Sequence, residues 1–275
     1  MLYRFALLSC LVACGSSTSS DDGGNGGDGS SSSDSAGADG SSGDDGSDGS
    51  GNDGSSSSVV PPLGGSSGGS GGAAPVAGTT MQAGGITYRL IVPSNPAKPA
   101  PFLLVYSGTE GGQLMTQNLQ GAGPSTGTDK LIRAVLDGVV YNGNGAAGAT
   151  VLDEVRAKYD IDNDRTYLLG ESAGTSAALK LGFHLRQSYF GAYWANDVNN
   201  NDKPGETAAQ LGFAPWGQVG PGGDFGDANI IVNAMKAAGY RMPNPAPYNG
   251  PGAGTHGDPN QFLAALQFFP GKTRQ

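Results

Sequence analysis

Gly170-Glu171-Ser172-Ala173-Gly174 sets a serine between two glycines, directly after the apolar run Thr166-Tyr167-Leu168-Leu169. The run reads as a short buried strand, and Ala173 to Leu185, rich in small residues, reads as a helix. Strand, then G-x-S-x-G, then helix is the frame of a nucleophile elbow. There the serine sits on a strained turn, and flanks free of side chains let strand and helix approach closely. The pentapeptide alone is common, so its meaning rests on that frame. A solvated serine in a glycine-rich turn is the plain alternative.

Working outward, the chain alternates strand-like and helix-like pieces from about Thr79 onward. Ile86 to Val92 has period-two character and stops at Pro93, and Phe102-Leu103-Leu104-Val105-Tyr106 is a continuous apolar run typical of a strand buried on both faces. Leu131 to Leu136 is the next strand. Thr150 to Lys158 reads as a helix opened by a Thr150-x-x-Asp153 cap. Beyond the elbow, Gly191 to Ala195 and Phe213 to Val219 read as strands, Ala228 to Ala238 as a helix stopped by Gly239, and Pro259 to Phe269 as a final helix. This alternation predicts one α/β domain over residues 79–275, with a mostly parallel sheet covered by helices on both faces.

The amino-terminal part is of another kind. Gly15 to about Ala74 is almost entirely Gly, Ser and Asp, without an aromatic residue, Lys or Arg, so it is expected to form a disordered linker over residues 15–78. Its nine Asp (21, 22, 28, 34, 39, 44, 45, 48 and 53) equal in size the whole formal charge of −9. The remainder is near neutral and carries no basic cluster, which argues against nucleic acid as a partner.

Residues 1–14 give the linker a purpose. Arg4 precedes the short apolar core Phe5 to Ala13, which is too short to span a membrane and suits a secretory signal. Leu11-Val12-Ala13-Cys14 resembles the lipobox of bacterial lipoproteins, in which cleavage before the cysteine leaves it to carry the lipid. That resemblance implies lipidation at Cys14 and an extracytoplasmic place on the cell envelope. An ordinary signal peptide cut nearby is the alternative. Cys10 would leave with the signal, so the folded part has no thiol for a disulfide.

A nucleophilic serine needs a base, and the base needs an orienting acid. Of the two histidines, His184 lies about three helical turns beyond Ser172, roughly 18 Å away along one helix, which favours a structural or surface role. His256 lies in the loop Gly252-Ala253-Gly254-Thr255-His256-Gly257 before the last helix, where an α/β fold presents catalytic groups, and is the expected base. For the acid, Asp224 is favoured because it follows a strand and precedes a helix; Asp197 and Asp227 stay open, Asp227 being also a good helix cap. The oxyanion donors are expected from the backbone of Ala173 and of Thr109, with Glu110 next. Asp160, Asp162, Asp164 and Glu171 imitate positions 1, 3, 5 and 12 of a calcium loop. Arg165 stands where that loop needs glycine, and the loop would consume the strand, so a turn held by Asp side chains is the better account and no metal is assigned.

The run Tyr159-Asp160-Ile161-Asp162-Asn163-Asp164-Arg165-Thr166-Tyr167 leading into Gly170-Glu171-Ser172-Ala173-Gly174 resembles the corresponding segment of polyhydroxybutyrate-depolymerase-like and feruloyl-esterase-like α/β-hydrolases. Those enzymes show Y-x-I-D-x-x-R-x-Y before G-x-S-A-G. The resemblance implies an α/β-hydrolase fold, Ser172 as nucleophile, His256 as base, Asp224 as acid, and no metal or organic cofactor. It departs at Ser107-Gly108, where such enzymes usually begin His-Gly, at Glu110 near the oxyanion loop, and at Gly257-Asp258, where the base usually has an aromatic neighbour. The expectation is a lipid-anchored serine esterase outside the cytoplasm, acting on a small or polymeric ester. The alternatives are a non-catalytic binding module on the same fold, and a serine peptidase or acyltransferase.

Overall fold

The computed structural model describes residues 68–72 and 80–274. The expected signal segment 1–14 with Cys14, and nearly all of the expected linker, lie outside the described residues. Residues 68–72 fall within the range read as linker, yet they are tied to the domain. Gly69 bridges Asp162, Ser70 N donates to the Ile161 carbonyl at 2.9 Å, and Ser70 Oγ donates to the Tyr159 carbonyl at 2.6 Å. Backbone groups around the start of a strand thus complete their hydrogen bonds with this segment.

Among the described residues seven strands form one sheet: β1 (Met81–Ala83), β2 (Ile86–Ile91), β3 (Ala100–Tyr106), β4 (Ile132–Leu136), β5 (Ile161–Glu171), β6 (Ala192–Asn196) and β7 (Trp216–Val219). Their order is β1-β2-β4-β3-β5-β6-β7, with β1 and β2 antiparallel and β4 to β7 parallel to β3. The β1–β2 hairpin turns on Gly84 and Gly85, both at positive φ, as a two-residue hairpin loop requires.

Every residue of β3 is buried, and its side chains alternate between two cores. Phe102, Leu104 and Tyr106 enter one, Leu103 and Val105 the other. Helices α2 (Gly145–Lys158), α3 (Thr175–Lys180) and α5 (Phe225–Ala237) cover the first face through Val151, Leu152, Val155, Ala177, Ala178, Ile231 and Met235. α1 (Gly111–Thr126) and α6 (Pro259–Phe268) cover the second through Met115, Leu119, Ala265 and Leu266. A short α4 (Ala208–Leu211) lies between β6 and β7. Each fully buried Leu contributes about 1.5–3 kcal/mol, so the central strand anchors both layers. Among the described residues no helix is long and apolar enough to cross a membrane.

Three local expectations change. α2 begins at Gly145 and not at Thr150: the Asn144 side chain caps it by accepting from Ala147 N at 3.1 Å, and Thr150 is interior, its hydroxyl on the Ala146 carbonyl. The helix after Ser172 is broken into a 3₁₀ turn over 172–174, α3, and a π turn over Leu181–Leu185 that contains His184. The pattern does not foreshadow α1, whose Gly121, Gly123 and Pro124 are poor helix formers offset by burial of Met115 and Leu119.

The calcium-like aspartates are committed locally. Asp162 accepts from Asp164 N and Arg165 N at 2.9 and 3.1 Å and pairs with the Arg165 guanidinium, while Asp164 pairs with Arg274.

Candidate active site

β5 delivers Glu171 to the carboxyl-terminal edge of the sheet, and the chain then turns sharply at Ser172, held at φ +46°. The two flanking glycines are sterically required. A Cβ on Gly170 would lie 2.6 Å from Ala178 Cβ, and one on Gly174 would lie 2.5 Å from the Ser107 carbonyl oxygen. Ser172 keeps 9% of its surface exposed, and its Oγ is 2.8 Å from His256 Nε2. The serine and the base expected from the sequence are thus in hydrogen-bond contact across 84 residues of chain.

His256 stands on the exposed loop before α6, whose start is fixed by Asp258 accepting from Asn260 N at 2.8 Å, with Pro259 in the first turn. The next residue, Gly257 at φ +75°, donates its N–H to Asp197 Oδ2 at 2.5 Å. Gln261, in the first turn of α6, donates its amide to Asp197 Oδ1 and accepts from Gly222 N at 3.1 Å. Asp197 directly follows β6, is 1% exposed, sits at φ +50°, and interacts electrostatically with His256.

Asp224, the acid expected from the sequence, stands away from the histidine loop. Asp224 is exposed and caps α5, its carboxylate accepting from Asp227 N at 3.0 Å. Asp227 lies in the first turn of that helix and accepts from Asn201 Nδ2. Asp197 is the carboxylate placed against the histidine loop. Its place directly after a buried strand is visible in the sequence, as is the strand-then-helix context of Asp224. The Gly222-Gly223 turn still serves the site: a Cβ on Gly222 would collide with the Asp197 carboxylate, and Gly223 N donates to the Ala253 carbonyl. His184 is engaged elsewhere, with Asp202 at 2.9 Å. Tyr193 and Trp194 are core residues, and half-buried Trp216 stacks under Arg241 and Lys272.

The loop after β3 is held from below. Ser107 Oγ accepts from Gly138 N at 3.0 Å, and Asp137 accepts from Gly112, Val139 and Val140 N, each at 3.1 Å. Thr109 is exposed on this turn, and half-buried Ala173 lies in the first helical turn after the elbow. Glu110, the second choice of oxyanion donor, turns its carboxyl back onto this loop. Its Oε1 accepts from Gly108 N at 3.0 Å. A Cβ on Gly108 would meet Glu110 Oε2 at 2.5 Å, Ser172 Cβ at 3.2 Å and Glu171 Cγ at 3.3 Å, so these three side chains converge on one point.

Glu110 and Glu171 thus sit beside the serine, and both interact electrostatically with Asp197. Burial raises the affinity of Glu110 for its proton, with Asp137 and Asp197 adding to the effect and the Gly108 N–H opposing it. Burial also raises Asp197, against the Gly257 N–H, the charge of His256 and the Gln261 amide. Glu171 is displaced furthest, well above the ordinary carboxyl range, by burial and then by the neighbouring Asp197.

No protein-family model matches the sequence, and neither does any curated protein. Solved structures do. A thermostable esterase is 14% identical with a TM-score of 0.51, over 69% of this chain and 60% of its own. An esterase of Pyrobaculum calidifontis is 14% identical with a TM-score of 0.50, over 68% and 81%. The chain thus spans only about 60% of the thermostable esterase's length. Together with a mostly parallel sheet in the order β1-β2-β4-β3-β5-β6-β7, covered on both faces, these likenesses give the chain the α/β-hydrolase fold.

Proposed function

We propose that the chain is a serine hydrolase of carboxylic esters, with Ser172 as nucleophile, His256 as base and Asp197 as the orienting acid. The observation that carries this reading is the 2.8 Å contact between Ser172 Oγ and His256 Nε2, on an elbow whose backbone is strained. In the reaction Ser172 Oγ attacks the ester carbonyl carbon as its proton passes to His256 Nε2. The carbonyl oxygen becomes an oxyanion, received by the backbone N–H groups of Ala173 and Thr109. The C–O bond to the alcohol breaks as His256 returns the proton to the leaving oxygen. Water, deprotonated by the same imidazole, then cleaves the acyl-serine. Asp197 balances the imidazolium and, through the Gly257 N–H, fixes the loop that carries the ring.

The esterases with which the chain shares its fold support the same reaction class at low identity. The resemblance around Tyr159 to Gly174 supports a polyester or an aryl or short acyl ester as substrate. The lipobox-like Leu11-Val12-Ala13-Cys14 supports lipid anchoring at Cys14 and an extracytoplasmic place, with the Gly/Ser/Asp segment as tether.

A second reading, a non-catalytic binding module, draws on Glu110: its carboxyl sits beside Ser172 on the loop that should receive the oxyanion. Turnover of a panel of acyl and aryl esters by the purified full chain, with Ser172→Ala beside it, decides between them. Hydrolysis lost in the variant supports the esterase; a folded chain that turns over none of them supports the module.

A further inference from the structure

Gln261 lies in the first turn of α6, on the helix that follows the histidine loop, and its polar side chain is wholly buried. A buried amide is tolerated where its donor and its acceptor are both used. The Gly222 N–H can only donate, so its partner at 3.1 Å is the amide oxygen of Gln261. That fixes the amide: Nε2 faces the Asp197 carboxylate and donates to Oδ1. The other carboxylate oxygen, Oδ2, accepts from Gly257 N at 2.5 Å. Both oxygens of Asp197 are thus held, one by a side chain of α6 and one by the backbone beside His256.

The same amide joins three loops at the carboxyl-terminal edge of the sheet. Asp197 follows β6, Gly222 belongs to the turn after β7, and the histidine loop runs into α6. That turn is itself bonded to the histidine loop, since Gly223 N donates to the Ala253 carbonyl at 2.9 Å. Glycines make the room. A Cβ on Gly220 would lie 2.8 Å from Gln261 Cδ, and one on Gly252 would lie 2.8 Å from Gln261 N. A side chain that only filled space would need neither a donor aimed at a carboxylate nor an acceptor aimed at an N–H. Methionine fills such a space as well and leaves both groups unpaired.

We infer that Gln261 is a positioning residue for the acid: its amide sets the plane of the Asp197 carboxylate, so that Oδ2 meets Gly257 N and the loop carrying His256 is held over Ser172. This role rests on Ser172, His256 and Asp197 acting as proposed above. The substitution Gln261→Glu keeps the shape and exchanges the donor for a carboxyl oxygen. Protonated, that carboxyl donates to Asp197 and accepts from Gly222 N as the amide does; ionised, it sets two carboxylates against each other. Asp197 faces position 261 directly, His256, Glu171 and Glu110 interact with Asp197 from beyond it, and Asp258 precedes it at the start of the helix. Burial and the Asp197 charge both favour the protonated form of the introduced carboxyl at acid to neutral pH.

The test is made on the full chain with Gln261→Met and Gln261→Glu, reading ester kinetics and the NMR signal of the Gly257 amide proton. Gln261→Met is expected to lower kcat about 10- to 100-fold, as for a catalytic pair misplaced by about 1 Å, and to leave KM within about twofold. Its Gly257 amide proton is expected to move upfield as the bond to Oδ2 loosens. Gln261→Glu is expected to approach the wild-type kcat near about pH 6 and to fall about 10- to 100-fold behind it by about pH 9, with the Gly257 signal departing from wild type in step. A wild-type kcat in Gln261→Met, a Gly257 signal unmoved in it, or a ratio of Gln261→Glu to wild type that is flat with pH overturns the inference. Gln261→Glu is compared with itself across pH, so it decides the matter even if Gln261→Met does not fold. A wild-type chain that turns over no ester ends the esterase reading, and the Gly257 signal then still decides whether Gln261 holds the Asp197 carboxylate, so the two failures are separable.

Discussion

Ser172 and Asp197 leave adjacent strands side by side, and they are the two non-glycine residues at positive φ among the described residues, at +46° and +50°. Each is the residue after a register pair, because Glu171 on β5 is opposite Asn196 on β6. Two strained turns at one sheet edge, each costing about 1–3 kcal/mol, persist only where the surroundings over-determine them. Here those surroundings are Gly170, Gly174 and Gly222, whose missing side chains leave room for the serine turn and the Asp197 carboxylate.

Strain at the elbow gives the first prediction. Ser172→Gly is expected to raise stability by roughly 1 kcal/mol, because glycine relaxes at that φ without cost. The same variant should have no esterase activity. Thermal unfolding and ester turnover on one preparation check it, and a Ser172→Gly chain less stable than wild type contradicts it.

The identity of the acid gives the second. Asp197→Asn is expected to lower kcat by about 10²–10⁴-fold. Asp224→Ala should remove a helix cap worth about 1 kcal/mol and leave turnover within about twofold. The opposite ranking in ester kinetics would restore Asp224 as the acid.

The buried carboxyls give the third. Glu171 and Glu110 bind their protons more tightly folded than unfolded, so the folded chain holds more protons between the unfolded value near 4.3 and the raised folded values. Their contribution to stability is full below about pH 4 and declines as pH rises through the folded values, by about 1.4 kcal/mol per pH unit for each group within its window. Glu171→Gln and Glu110→Gln should therefore unfold at higher temperature than wild type at pH 8, with the gap closing toward pH 4. Melting curves that run parallel across this range would contradict the assignment.

The fold was legible because the alternating apolar runs are long and unbroken. Phe102 to Tyr106 is buried on both faces and read as such, and the glycines around Ser172 announced the elbow. α1 was hidden because Gly121, Gly123 and Pro124 mask a helix that exists by packing Met115 and Leu119 on the sheet. Ser172 and His256 could be paired by elimination, one elbow and one loop histidine. Asp197 could not be chosen over Asp224, since the choice depends on where Gly257 and Gln261 point, and those contacts span 60 and 64 residues of chain. The Glu110 carboxyl on Gly108 N is a contact two residues apart, set by how the loop after β3 turns.

Glu110 gives the fourth prediction. A carboxylate beside Ser172 opposes the charge that develops on the substrate oxygen, and removing it at such range is worth on the order of 1 kcal/mol, about fivefold in rate. Glu110→Gln should keep the Gly108 hydrogen bond through its amide oxygen and raise kcat/KM by that amount at alkaline pH. The gain should vanish at acid pH, where the wild-type carboxyl is already neutral because its folded value is raised. A rate that falls at all pH values would give Glu110 a positive role in the reaction.

The central claim is that Ser172 is activated by His256, and covalent labelling tests it most directly. The purified full chain is treated with a fluorophosphonate probe beside Ser172→Ala and His256→Ala, each verified as folded by circular dichroism. The account predicts labelling of the wild-type chain at Ser172, none of Ser172→Ala, and at least about 10²-fold slower labelling of His256→Ala. A folded wild-type chain that does not label, or labelling that persists unchanged without His256, contradicts it.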